Sequence, residues 1–178
     1  MATDLIRPDD ALLALRAQRS EEGAFAELYA RHARYIAGVV FRLMGDDLDL
    51  EDVVQETFLT AADALSQLEN PAALRPWLVA IAVRRVRRQL SRRRRRKLLA
   101  RLVAEVSPVV SDPLALSEVD ELYDALDRIP ADLRIPWALS RIEALSLPEV
   151  ARACGRSLST VKRRIAEADE RLERRLGQ

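Results

Sequence analysis

Residues 157–164 read Ser-Leu-Ser-Thr-Val-Lys-Arg-Arg, which packs hydroxyls and cations into about two helical turns. On a helical projection Ser159, Arg163 and Glu167 share one face, Thr160 lies beside them, and Lys162 and Arg164 take the shoulders. Val161, Ile165, Ala168 and Leu172 form the opposite, apolar stripe. A helix of this kind can offer hydrogen-bonding groups to base edges and cations to phosphates. Just upstream, Ala151 is small enough to let two helices approach closely, and Gly155 supplies the positive φ of a tight turn. Ala151, Gly155 and Val161 thus predict a helix-turn-helix. An ordinary helical hairpin with a solvated basic face would share the stripe, so the spacing by itself leaves that alternative open.

A second set of groups suits single-stranded nucleic acid. Residues 84–101 hold eleven basic side chains and no acidic one. On a helix, Trp77, Arg84 and Arg88 fall along one stripe, with Arg85 and Arg87 beside it. An aromatic ring offers a stacking surface worth roughly 1–3 kcal/mol per base, and each guanidinium can neutralise a phosphate. A core tryptophan and a solvated charge run are the competing readings. A third set is acidic: residues 46–69 hold eight acidic side chains and no basic one. There Val54, Phe58, Ala61 and Leu65 form an inward stripe, which leaves Asp52, Glu56, Leu59 and Asp63 on the far side, with Gln55 next to them. An acidic face with an exposed leucine fits a protein partner better than a nucleic acid. A solvated face with one stray leucine fits the pattern as well.

The elements that position these groups are helices. The chain has 178 residues, 49% of them hydrophobic but only 4% aromatic, with 5 glycines. Such a composition favours helices and makes little provision for hairpins. Helices are expected over residues 11–18, capped by Asp9-Asp10 with Leu12, Leu13 and Leu15 as the apolar side, then over 24–44, 50–68 and from 72 into the arginines. Val106 to Pro113 carries two prolines and two serines among small residues and reads as a linker. Helical periodicity resumes at Leu114 and stops at Pro130, with further helices over 132–145, 147–154 and 158–176. The fold expected is all-α: two small helical domains, 10–97 and 114–178, joined by a flexible linker over 98–113.

One cysteine, Cys154, and one histidine, His32, leave no disulfide framework, no evident metal site and no nucleophile–base pair. No cofactor is called for, and an enzyme is not expected. No apolar run approaches the ~20 residues of a membrane span, and the first residues lack the layout of a signal peptide. A cytoplasmic protein is expected. The net charge of +1 conceals the segregation just described.

Together the segments resemble the extracytoplasmic-function (ECF) group of the sigma-70 family, from about Phe25 to Leu176. Ala24-Phe-Ala-Glu-Leu-Tyr-Ala-Arg-His resembles the opening of the family's region 2. Leu50-Glu-Asp-Val-Val-Gln-Glu-Thr-Phe-Leu is similar to region 2.2, and the resemblance implies that Asp52, Gln55, Glu56 and Leu59 bind the clamp helices of the polymerase β′ subunit. Trp77-Leu-Val-Ala-Ile-Ala resembles the segment that helps open and read the minus-ten element, which implies that role for Trp77, Arg84, Arg85, Arg87 and Arg88. Leu126-Asp-Arg-Ile-Pro, Leu145 to Gly155 and Ser159-Thr-Val-Lys-Arg-Arg-Ile are similar to region 4. That implies minus-thirty-five recognition by Ser159, Thr160, Lys162, Arg163 and Arg164. The implied partners are core RNA polymerase (β′ and β subunits), promoter DNA and an anti-sigma factor, without membrane insertion.

Departures from the family pattern fall at Val83, Arg84 and Arg88, where arginine, asparagine and aspartate are common, and at Thr60 to Leu65, which lacks the usual aromatic. No promoter consensus carries over. No folded region 3 is expected between the domains, and no autoinhibitory domain is expected before residue 10. A helix-turn-helix regulator that is not a polymerase subunit is the alternative, but it would need a dimerisation or sensor element, and none is legible.

Overall fold

The computed structural model describes residues 8–103, 125–126 and 128–176. Among them are seven α-helices and no strand: α1 (Pro8–Gln18), α2 (Ala24–Met44), α3 (Leu50–Ala64), α4 (Leu74–Val103), α5 (Ala131–Arg141), α6 (Leu147–Cys154) and α7 (Leu158–Leu176). Short 3₁₀ turns at Leu65–Gln67 and Pro71–Ala73 link α3 to α4.

The first half is a bundle of α1–α4. Helix α2 buries Leu28, Ile36, Val39, Val40 and Leu43 at the three-to-four spacing that the sequence shows. It stops at Gly45, whose φ of +82° lets its N–H reach Phe41 O at 2.8 Å. Helix α3 carries Glu51 and Asp52 in its first turn, where carboxylates favour the positive helix end. It turns Val53, Val54, Phe58 and Ala61 inward. Helix α4 is about 45 Å long. Its N-terminal half is core, with Leu74, Leu78, Ile81, Val83 and Val86 buried, and its C-terminal half is arginine-rich.

Several expected features shift. Helix α1 begins at Pro8 instead of residue 11, because proline fits the first helical turn. Asp10 therefore lies inside the helix, buried against Arg31 (3.3 Å) and His32 (3.5 Å), and does not act as a cap. Leu13 and Ala14 take the inward face, whereas Leu12 and Leu15 are exposed. Helix α3 ends at Ala64, short of residue 68. Helix α4 runs on to Val103 through the first residues of the expected 98–113 linker, since no glycine or proline interrupts it there. The Pro/Ser stretch 106–113 and the apolar residues 114–122 lie outside the described residues. Helix α5 ends at Arg141 and not 145, because the N–H groups of Ile142 and Glu143 both turn back to Ala138 O and Ala144 follows at φ +53°.

The second half builds the motif at the chain's end. Ser146 and Glu149 form a reciprocal capping box at the start of α6. Gly155 closes α6 at φ +59° and donates to Ala151 O and Arg152 O. The two halves also share one apolar core, in which Leu139, Val150, Ala153 and Cys154 join Leu43, Val83 and Val86. Two polar contacts reinforce this junction. Arg42 Nε meets the buried Glu143 carboxylate at 2.5 Å, and Arg87 Nη1 donates to Cys154 O at 2.9 Å. Gly38 makes room for the first: a Cβ there would stand 3.0 Å from Arg42 Nη1.

Candidate nucleic-acid interface

Helix α7 presents the face that its sequence implies. Val161, Ile165, Ala168 and Leu172 are buried, while Ser159, Lys162 and Arg163 are exposed. Thr160 is half-buried, its hydroxyl 2.8 Å from Ser157 Oγ, and its backbone N–H donates to the same oxygen at 3.3 Å. Ser157 thereby caps the helix. Arg164 is turned to another purpose: its guanidinium pairs with Asp132 of α5 at 3.2 Å. Sequence reasoning missed the clamp that seats α7 on α5. One Asp169 oxygen accepts from Trp137 Nε1 and the other from Arg141 Nη2, both at 2.7 Å. Thirty-two positions separate Trp137 from Asp169, so no local periodicity signals their meeting.

Trp77 is half-buried and packs one side on the core, so it combines an anchoring role with a partly open ring. Arg84 and Arg88 are exposed. Arg85 and Arg87 are not directed outward with them. Arg87 reaches across the junction to Cys154 O. Arg85 turns to α3, where it bonds Glu56 Oε2 at 3.1 Å and the Thr60 hydroxyl.

On α3, Asp52, Gln55 and Leu59 are exposed and Glu56 is half-buried. Leu48, at 81% exposure the most open large hydrophobic among the described residues, extends this stripe into the turn before the helix. The spacing 48, 52, 55, 59 is helical, so the sequence carried that signal.

The acidic helix and the arginine helix, separate in sequence, lie side by side. They border a groove of about 420 Å³, lined by Asp52, Gln55 and Glu56 on one bank and Arg85, Arg88 and Arg92 on the other. At one end Arg93 bridges Asp46 (2.6 Å) and Asp49 (2.6 Å). Hydrogen bonds from Gln89 and Arg93 hold the Asp49 carboxyl below its ordinary range. Arg94 and Arg95 next to it are exposed.

The chain's one histidine and one cysteine are both buried. Burial lowers the pKa of His32 and pushes the Cys154 thiol up to about 11. Among the described residues no helix is long and apolar enough to cross a membrane.

With this geometry in view, comparison with known proteins gives a consistent result. Residues 28–96 match the family model for sigma-70 region 2, and residues 119–172 match that for sigma-70 region 4. The chain is 30% identical to the RNA polymerase sigma factor NccH of Alcaligenes xylosoxydans xylosoxydans, over 92% of each protein. It is 27% identical to the RNA polymerase sigma-H factor of Pseudomonas aeruginosa, over 97% of this chain and 96% of that one. Among solved structures it resembles CnrH, determined in complex with the cytosolic domain of CnrY. The TM-score is 0.68 and the identity 28%, over 94% of this chain and 97% of that one.

Proposed function

We propose a division of labour among the surfaces of this chain, which belongs to the ECF group of the sigma-70 family. As a sigma factor it binds core RNA polymerase, recognises promoter DNA and promotes strand opening at initiation. In our reading Asp52, Gln55, Glu56 and Leu59, extended by Leu48, dock on the β′ clamp helices. A flat acidic stripe centred on exposed leucines suits a basic, partly apolar partner. Trp77, Arg84 and Arg88 engage the melted minus-ten strand by stacking and phosphate contact. Ser159, Lys162 and Arg163 enter the major groove of the minus-thirty-five element, with Thr160 and Arg164 fixing the helix that carries them.

The observation that carries this reading is the contrast between α3 and α7. Each buries an apolar stripe, but α3 exposes Asp52, Gln55 and Leu59 and holds no basic side chain, whereas α7 exposes Ser159, Lys162 and Arg163.

The two promoter elements are separated by about 25 base pairs, close to 85 Å of B-form helix. In our reading the halves, joined here through Arg42–Glu143 and Arg87–Cys154, separate in the complex to reach both elements. The related CnrH was solved with the cytosolic domain of CnrY. A protein partner that holds the halves together before polymerase binds, an anti-sigma factor, fits this requirement, and both would meet in the cytoplasm. The test is run-off transcription with purified core polymerase on a promoter template. Promoter-specific transcripts are expected. Co-elution with polymerase without initiation would instead make the chain a polymerase-binding regulator.

A further inference from the structure

The pairing of Arg85 with Glu56 joins two surfaces that the family reading keeps apart. Arg85 lies on α4 among arginines suited to DNA, and Glu56 lies on α3 within the face assigned to polymerase. The Arg85 guanidinium forks across both, with Nη1 3.1 Å from Glu56 Oε2 and Nη2 on the Thr60 hydroxyl. The pair sits at the groove mouth, where Glu56 keeps 45% of its side-chain surface open and Arg85 25%. An incoming cation can therefore reach the carboxylate, but only in competition with a guanidinium already seated there.

We propose that Arg85 is an intramolecular competitor for the polymerase-binding face, so that docking on polymerase releases Arg85 toward DNA. The proposal rests on the assignment of Asp52, Gln55, Glu56 and Leu59 to polymerase. A basic partner that takes Glu56 must break or share its bond to Arg85. By reciprocity, whatever engages Arg85, such as a DNA phosphate, leaves Glu56 available and strengthens polymerase binding by the same factor. The coupling is modest, because exposed ion pairs contribute little and this one is half open. The hydrogen bond to Thr60 and the neighbouring Arg88 and Arg92 along the groove raise it above a lone surface pair. The alternative is a structural staple between α3 and α4, and it predicts the opposite sign: removing Arg85 would loosen α3 and weaken docking.

The sign decides between them. Full-length wild type, Arg85→Gln and Arg85→Lys are titrated against core polymerase, and the resulting holoenzymes against promoter DNA at several salt concentrations. Competition predicts that Arg85→Gln binds core polymerase about three- to tenfold more tightly. Its holoenzyme should show a slope of log affinity against log salt shallower by about 0.9. Arg85→Lys keeps the charge but loses the fork and should fall between. Equal or weaker polymerase binding by Arg85→Gln, or an unchanged salt slope, overturns the proposal. If Arg85→Gln unfolds, Thr60→Val removes one arm of the fork without touching a charge. It should tighten polymerase binding about twofold, and no tightening overturns the proposal equally. Wild type that fails to bind core polymerase overturns the functional assignment itself. That result is distinct from tight wild-type binding that Arg85→Gln leaves unchanged.

Discussion

Helix α7 and the α3–α4 seam are both rich in charge, but they hold it differently. On α7, Lys162 and Arg163 stand away from the protein, and Arg164, which pairs with Asp132, works to fix the helix. Along the seam, Arg85 is held by Glu56 and Arg93 by Asp46 and Asp49. A recognition helix on one side of a domain needs only one outward face. Two helices packed antiparallel, one acidic and one basic, meet charge to charge along their shared edge. Residue type and exposure together separate a ready contact from one that must first be released.

The largest effect is expected at the seam. Asp52→Arg with Glu56→Arg should abolish co-elution with core polymerase, because the stripe then meets a basic partner with like charge. Both side chains point away from Val54 and Phe58, so the helical circular dichroism spectrum should be kept, although the Glu56–Arg85 bond across the seam is lost. Unchanged co-elution would remove this face from the docking surface.

On α7 the contrast is between base reading and charge. Arg163→Ala should relax base preference at one position of the upstream element by about tenfold, in line with roughly 1–3 kcal/mol for a bidentate guanine contact. Arg94→Ala with Arg95→Ala should weaken all promoters alike and flatten the salt slope by about 1.8. Holoenzyme binding to a panel of upstream variants at several salt concentrations separates the two. A uniform loss with Arg163→Ala would mean that this helix meets DNA in another register.

Glu143→Ala probes the contact that joins the two regions. It leaves Arg42 without its carboxylate in a half-buried site, and a loss of about 2 kcal/mol is expected, below the 3–5 kcal/mol of a fully buried pair because Arg42 keeps some solvent. Denaturant unfolding measures the loss. If opening is needed to reach both promoter elements, transcription by the holoenzyme should be retained or raised even as the free protein is destabilised.

The smallest effect is expected at Cys154, buried at the same junction. With its thiol pushed up to about 11, almost no thiolate exists at neutral pH, and oxidants have little to attack. Cys154→Ala should transcribe equally well under reducing and oxidising conditions. Redox-dependent transcription that this substitution removes would make the thiol a sensor.

The sequence by itself determined that the chain is helical and, on α3 and α7, which side faces inward. Period-3.6 stripes such as Val54–Phe58–Ala61–Leu65 and Val161–Ile165–Ala168–Leu172 are local facts, and burial follows them closely. The turn at Gly155 was equally legible, since only a residue tolerant of positive φ suits that position. Tertiary structure alone decided which charges meet. Arg85 with Glu56, Arg93 with Asp46, Arg42 with Glu143 and Trp137 with Asp169 are each contacts between segments distant in the chain. No periodicity encodes such a meeting, because the rotation and offset of two packed helices are set by the fit of their buried aliphatic side chains. The polar groups on their flanks take whatever partners that fit brings within reach.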